Sequence, residues 1–415
     1  MNHQLSKIVK TMKNPQSQSL ILWRQVGGVA ALQGAITLTW MLYRLYLPQL
    51  LAGFGFAGFD RGITILEDIL AIAIEPFAGW LSDKQRHWMG TRFPLIVVAT
   101  ILSSVIFMAI PAIFIFGNPV SPLRWIFPVV IVAWAIAMAM FRSPAVSLLG
   151  EYATQTQLPH AMSLLVLVGG LVGAARLVAG DFILSWGPAF AFALGSFVLL
   201  GAVAFLRSVN PDAAVSELPP DTAISGAVSI KALGLVALTG MAVAWGTRAM
   251  GERILPHVFK TQIVGVDAKL LMAGFTLGLA VSCLLAGAIA VRLGNQTTLL
   301  AGLIATAVLL LVMVLSQGFV MVAVTVLAVI FTNSFITTGA IPFALSLVPP
   351  HRGGLGVGFY FGGFSLGMSL YSMVFVAPLA VAAMTTAMVG AIAFLVAAVC
   401  VLAGDRLKLT PYVTN

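Results

Sequence analysis

Residues 79–96 read Gly79-Trp80-Leu81-Ser82-Asp83-Lys84, then Gln85-Arg86-His87-Trp88-Met89, then Gly90-Thr91-Arg92-Phe93-Pro94-Leu95-Ile96. One apolar run ends in a short charged loop and a second begins at once, the pattern of a turn between two membrane-crossing helices. Such apolar windows recur along nearly the whole chain. Of 415 residues, 60% are hydrophobic and 8% charged, and the mean hydropathy is +1.04. No soluble domain could bury that much apolar surface. At about 20 residues per helix plus short loops, roughly twelve spans are expected: near 27–50, 62–82, 93–117, 124–149, 161–184, 188–207, 232–258, 268–291, 297–316, 319–347, 354–378 and 382–404. The fold class is all-α and polytopic.

Basic residues set the orientation, because Lys and Arg near span ends stay on the cytoplasmic side. Lys7, Lys10, Lys13 and Arg24 precede the first span, and Lys84, Arg86 and Arg92 lie between the second and third. Both termini are expected in the cytoplasm, in an inner or plasma membrane, and no removable signal peptide is evident. The net charge of +9 is scattered over short loops and a polar N-terminus, which topology explains better than nucleic acid. Cys283 and Cys400 fall in apolar spans far apart, so they read as lipid-facing or packing residues with no disulfide framework.

The stretch Arg207 to Lys231, rich in Pro and acids, divides the chain almost equally. The expected organisation is a cytoplasmic segment 1–26, a bundle 27–207, a cytoplasmic linker 208–231, a second bundle 232–404 and a tail 405–415. Pro48 matches Pro256 at an offset of 208, and Gly79 and Lys84 match Gly287 and Arg292 at the same offset. More loosely, Pro144 and Gly169-Gly170 pair with Pro342 and Gly362-Gly363. Parallel six-span repeats with a site between the halves are a transporter plan.

The loop quoted above resembles that between helices 2 and 3 of the major facilitator superfamily. Its wider spacing and Pro-x-Ile ending are similar to the sucrose-transporter and glycoside-pentoside-hexuronide branch, with Thr91 and Phe93 departing from that branch's arginines. Arg142-Ser143-Pro144-Ala145-Val146-Ser147-Leu148-Leu149-Gly150-Glu151 resembles the branch's fourth-helix signature, with Glu151 where Asp is usual. Glu67-Asp68-Ile69-Leu70 ahead of Glu75-Pro76 is similar to its second-helix pattern. The resemblance implies the major facilitator fold, two pseudo-symmetric six-helix bundles working by alternating access, with this loop as a cytoplasmic latch.

The residues support a latch on their own terms. Gly79 allows close helix packing, and Asp83 at a helix end is placed to accept hydrogen bonds from a partner helix N-terminus or an arginine. Arg92, Arg142 and Glu151 are the expected co-members, while Lys84 and Arg86 are read as setting topology. The position equivalent to Asp83 in the second half is Val291, so the latch is one-sided.

Ionisable groups inside spans mark ion or substrate pathways. Only 13 residues are acidic, yet Glu67, Asp68, Glu75 and Glu252 sit in apolar runs. With Arg44, Arg176 and Arg248 they form a candidate proton-coupling network near the outer helix ends, with Arg44 and Glu252 on facing halves. Arg248 and Glu252 are also spaced i, i+4, so mutual neutralisation on one helix face is an equal reading. Glu67 ranks first as proton carrier, then Asp68, then Glu75. Gln33, Trp40, Tyr43, Trp245, Asn333, Thr337 and Tyr360 are candidates to line a cavity for a hydroxylated solute. Trp80, Trp88, Trp125 and Trp186, near span ends, read as interfacial anchors.

No phosphate-binding loop and no metal-ligand spacing are found, so neither an enzyme, an ATP-driven pump nor a cofactor is expected. The reading is a monomeric secondary transporter, a symporter of protons with a sugar or similar small polar solute. The alternatives are a membrane factor for pigment delivery or light-harvesting complex assembly, and an efflux carrier for amphipathic compounds.

Overall fold

The computed structural model describes residues 21–117, 122–210, 228–263, 265–375 and 382–409. The basic residues Lys7, Lys10 and Lys13, linker residues 211–227, the expected span end at 376–378 and tail residues 410–415 lie outside them. Twelve long helices follow in order: α1 Trp23–Gly53, α2 Asp60–Met89, α3 Phe93–Phe116, α4 Ile126–Tyr152, α5 Leu158–Leu184, α6 Pro188–Val209, α7 Ile230–Gln262, α8 Ala268–Leu293, α9 Asn295–Leu315, α10 Phe319–Ser346, α11 Gly353–Val374 and α12 Ala383–Leu409. Each corresponds to one expected span. Eleven are long and apolar enough to cross a membrane, and the other is α2. That helix has 30 residues, about 45 Å at 1.5 Å per residue, and its carboxylates Glu67, Glu75 and Asp83 are buried against arginines.

The clearest boundary difference is at α2, expected to stop near 82. Ser82 to Met89 are polar but stay helical, and the helix ends only at Gly90, whose φ of 71° is left-handed and whose N–H bonds Arg86 O at 2.9 Å. Hydropathy marks where the apolar surface stops, whereas the backbone stops where a residue without Cβ reverses it.

Two apolar cores form. One is built almost wholly from α1 to α6 and is rich in aromatic rings, with Trp134, Phe107 and Phe192 stacked between Tyr43 and Tyr46. The other is formed by α7 to α12 and is mainly aliphatic, with Leu299, Leu303 and Leu310 fully buried. Cys283 and Cys400 are buried packing residues, and Cys283 Sγ lies 3.2 Å from Thr337 Oγ1.

The two sets of helices meet along two seams, α2 against α11 and α5 against α8. Both are lined by small residues. A Cβ on Gly79 would stand 2.0 Å from Gly354 O, and a Cβ on Gly287, its repeat mate, 2.9 Å from Pro159 O. Likewise Gly362 abuts Ile72 and Pro76 across the first seam, and Gly170 abuts Ala280 across the second. Ile72 and Ala280 are again 208 positions apart. Close backbone approach through small residues is how helices associate without a hydrophobic driving force.

Candidate functional site

Two charged constellations lie along α2, one midway and one at its C-terminal end. Midway, Glu67 is 5% exposed. It accepts a short hydrogen bond from Tyr43 OH and pairs with Arg44 at 3.1 Å. Arg44 also bonds Thr64 Oγ1 and lies over the rings of Trp40 and Tyr43. Two turns further, Glu75 is 0% exposed and its Oε1 takes Nε and Nη2 of Arg142 at 2.7 and 2.6 Å. The same guanidinium lies 4.3 Å from the centre of Phe361 on α11, so the pair touches the opposite half. An unpaired carboxylate at this depth would cost several kcal/mol; each glutamate therefore has its arginine.

Asp68 differs, because its Oδ2 is buried without a hydrogen-bond partner and it makes no ion pair among the described residues. It shares with Trp40, Glu67, Glu75, Arg142 and Ser365 the wall of a cavity of about 50 Å³ between α1, α2, α4 and α11. Arg44, Arg142, Arg248 and Glu252 all act on it electrostatically.

At the C-terminal end of α2, Asp83 is 4% exposed. Its Oδ1 accepts from Arg92 at 2.6 Å and from Gly354 N at 2.9 Å, and its Oδ2 from Leu355 N at 2.7 Å. Gly354 and Leu355 belong to the first turn of α11, whose N–H groups have no partner within their own helix. Asp83 thus caps a helix of the other half. Arg92, 1% exposed, also bonds Ser147 Oγ and pairs with Glu151 at 3.3 Å. Arg86 pairs with Glu151 at 3.1 Å and donates to Pro350 O at 3.2 Å.

Set against the expectations, Gly79, Asp83, Arg92 and Glu151 come together and Arg142 does not join them. It lies nearly three turns before the end of its helix and binds Glu75 instead. Arg86, expected only to set topology, is a member of the cluster. Its place three residues beyond Asp83 was the signal, since i, i+3 residues share a helix face.

Arg44 and Glu252 do not pair across the halves. Arg44 is held by Glu67, and Glu252 by Arg248 at 2.5 Å in the i, i+4 manner. Arg248 also donates to Met368 Sδ. A π turn, Ala249–Ile254, overlaps the Arg248–Glu252 pair just before Pro256; the wide turn accommodates a proline that has no N–H to donate. Arg176 is exposed and makes no ion pair among the described residues.

Of the expected cavity lining, Trp40 alone shares the described cavity with the carboxylates. Tyr43 is buried behind Glu67, Gln33 bonds Thr37, and Thr337 bonds Asn333 O and contacts Cys283. Trp245 packs on Tyr371 and Phe375, and Tyr360 against Phe361 and Phe364. Asn333 is 1% exposed, with neither amide atom hydrogen-bonded. Trp80, Trp88 and Trp125 are exposed, and Lys84 sits over both Trp80 and Trp88.

No protein-family model and no curated protein matches the sequence. Solved structures match in fold. A bacterial homologue of the iron transporter ferroportin, in an outward-facing state, superposes with a TM-score of 0.72 at 13% identity, over 92% of this chain and 99% of that one. The Escherichia coli fucose:proton symporter gives 0.67 at 14% identity, over 91% and 98%. The human organic anion transporter TETRAN gives 0.62 at 13% identity, over 91% and 99%. With twelve long helices among the described residues, eleven of them apolar enough to span a bilayer, this integral multi-pass membrane protein has the fold of the major facilitator superfamily transporters.

Proposed function

We propose that the chain is a secondary active transporter working by alternating access, coupling protons to the movement of a sugar or similar small polar solute. The observation that carries this reading is the placement of Glu67. The carboxylate is buried, faces a cavity beside the opposite half, and is held by a tyrosine and by an arginine, the second of which a proton would release. A proton taken up by Glu67 cancels its attraction for Arg44 and frees that guanidinium, while Tyr43 keeps a neutral oxygen as acceptor. Asp68 and Glu75, on the same cavity wall, extend the path along α2.

The Asp83 end carries Lys84, Arg86 and Arg92, which supports its assignment to the cytoplasm. The Asp83 cluster then holds the cytoplasmic side closed. Each six-helix set is read as one rocking body, with the charged cluster as latch. The similarity to the sugar-carrier branch and the Trp40 ring beside the carboxylates support a hydroxylated solute, since an aromatic face stacks on a sugar ring. Radiolabelled sugars and polyols presented to reconstituted vesicles, with and without an imposed pH gradient, test the proposal. Accumulation that an uncoupler abolishes is expected, and solute entry indifferent to the gradient would overturn proton coupling.

A further inference from the structure

Helix α11 is held by α2 at both ends. Asp83 accepts from the N–H groups of its first turn, and Arg61 donates to Ser372 O at 2.8 Å and Phe375 O at 2.7 Å, carbonyls of its last turn and cap. Arg61 and Asp83 are 22 positions apart on α2, and α11, which runs antiparallel beside it, is 22 residues long, so the two side chains reach its two ends. The charges also match the helix dipole, an acid at its positive N-terminus and a base at its negative C-terminus.

Between these ends the glycines Gly354, Gly358 and Gly362 bring α11 against the backbone of Gly79, Glu75 and Ile72. With backbones in contact midway, α11 can tilt but cannot slide away. A tilt that lifts its first turn from Asp83 presses its last turn toward Arg61, and the reverse tilt does the opposite. The repeat mate of Arg61 is Lys269 on α8, which is exposed and makes no ion pair among the described residues.

We propose that Arg61 is a counter-latch, closing the outer end of the α2–α11 seam in opposition to the Asp83 latch at the inner end. This rests on the alternating-access reading above. Arg61 is a positioning residue that sets the balance between the two open states. Its Nη2 donates to both helix-terminal carbonyls at once, a placement that the differently shaped lysine ammonium reproduces only in part.

Spin-label distance measurements in detergent or nanodiscs need no known solute. One pair of labels, Phe59→Cys with Val266→Cys, reports the outer end, and a second, Met89→Cys with Leu293→Cys, reports the inner end. All four positions are exposed, whereas the native cysteines are buried. Arg61→Ala is expected to raise the ratio of outer-open to inner-open molecules about tenfold, the worth of one or two charge-assisted bonds at a helix end. Asp83→Asn is expected to move both distance distributions the other way, the double variant to return toward wild type, and Arg61→Lys to fall between. If Asp83→Asn shifts the distributions and neither Arg61 variant does, the counter-latch is wrong. A single, unchanging distance at both ends in every variant would instead remove alternating access, and the counter-latch with it.

Discussion

The two seams occupy equivalent places in a pseudo-symmetric fold, yet only one is charged. Along α2–α11 run Arg61, the Glu75–Arg142 pair and the Asp83–Arg92–Glu151–Arg86 cluster. Along α5–α8 the contacts are Gly170 on Ala280, Gly173 on Thr276 and Gly287 on Pro159 and Ser163. Where Asp83 fills the end of the first seam, its repeat mate Val291 lines a cavity of about 270 Å³ with Gln155, Asn295, Gln296 and Ser346. Small residues give both seams proximity, but charges give only the first a set of discrete, breakable positions. A scaffold with repeat-related seams thus carries its charged contacts on one of them.

The largest expected difference comes from the buried pair. Arg142→Ala strands Glu75, 0% exposed, and is expected to cost roughly 3–5 kcal/mol of stability in denaturant unfolding of the purified protein. Replacing both partners with apolar residues of similar volume should recover most of that loss.

Next, Gly79→Ala and Gly287→Ala compare repeat mates directly. The first drives a Cβ to 2.0 Å from a backbone oxygen, the second to 2.9–3.0 Å from Pro159 and the Ser163 side chain. About 3 kcal/mol against about 1 kcal/mol is expected from overpacking. Equal costs in the same unfolding measurement would mean that the seams are equally tight.

The smallest effect belongs to Glu252→Gln. Its carboxylate side chain is 49% exposed and bonded only one turn away to Arg248, so a change of roughly 0.3–0.5 kcal/mol is expected. A loss of several kcal/mol would show that Glu252 makes a buried contact in another state.

Much of this was legible in the sequence for a physical reason. Apolar length fixes the number of spans, and Gly79, Asp83 and Arg92 carry backbone proximity and charge in a short loop where few partners are within reach. The partners that span half the chain were not legible. Nothing near Asp83 in the sequence points to the N–H groups of Gly354 and Leu355, and nothing near Arg61 points to Ser372. Arg142 was assigned to the latch because it opens the motif that ends in Glu151. Nine residues of helix separate the two by more than 13 Å of rise at 1.5 Å per residue, which puts Arg142 at the depth of Glu75. Thr337 and Gln33, expected to line a cavity, satisfy their hydrogen bonds locally here, as helical polar side chains commonly do.

The central claim is that a proton on α2 drives the charged seam, and Glu67→Gln tests it most directly. In vesicles with an imposed pH gradient and a solute that the wild type accumulates, this variant is expected to exchange solute across the membrane but no longer concentrate it. Accumulation equal to wild type, still collapsed by an uncoupler, would contradict the account.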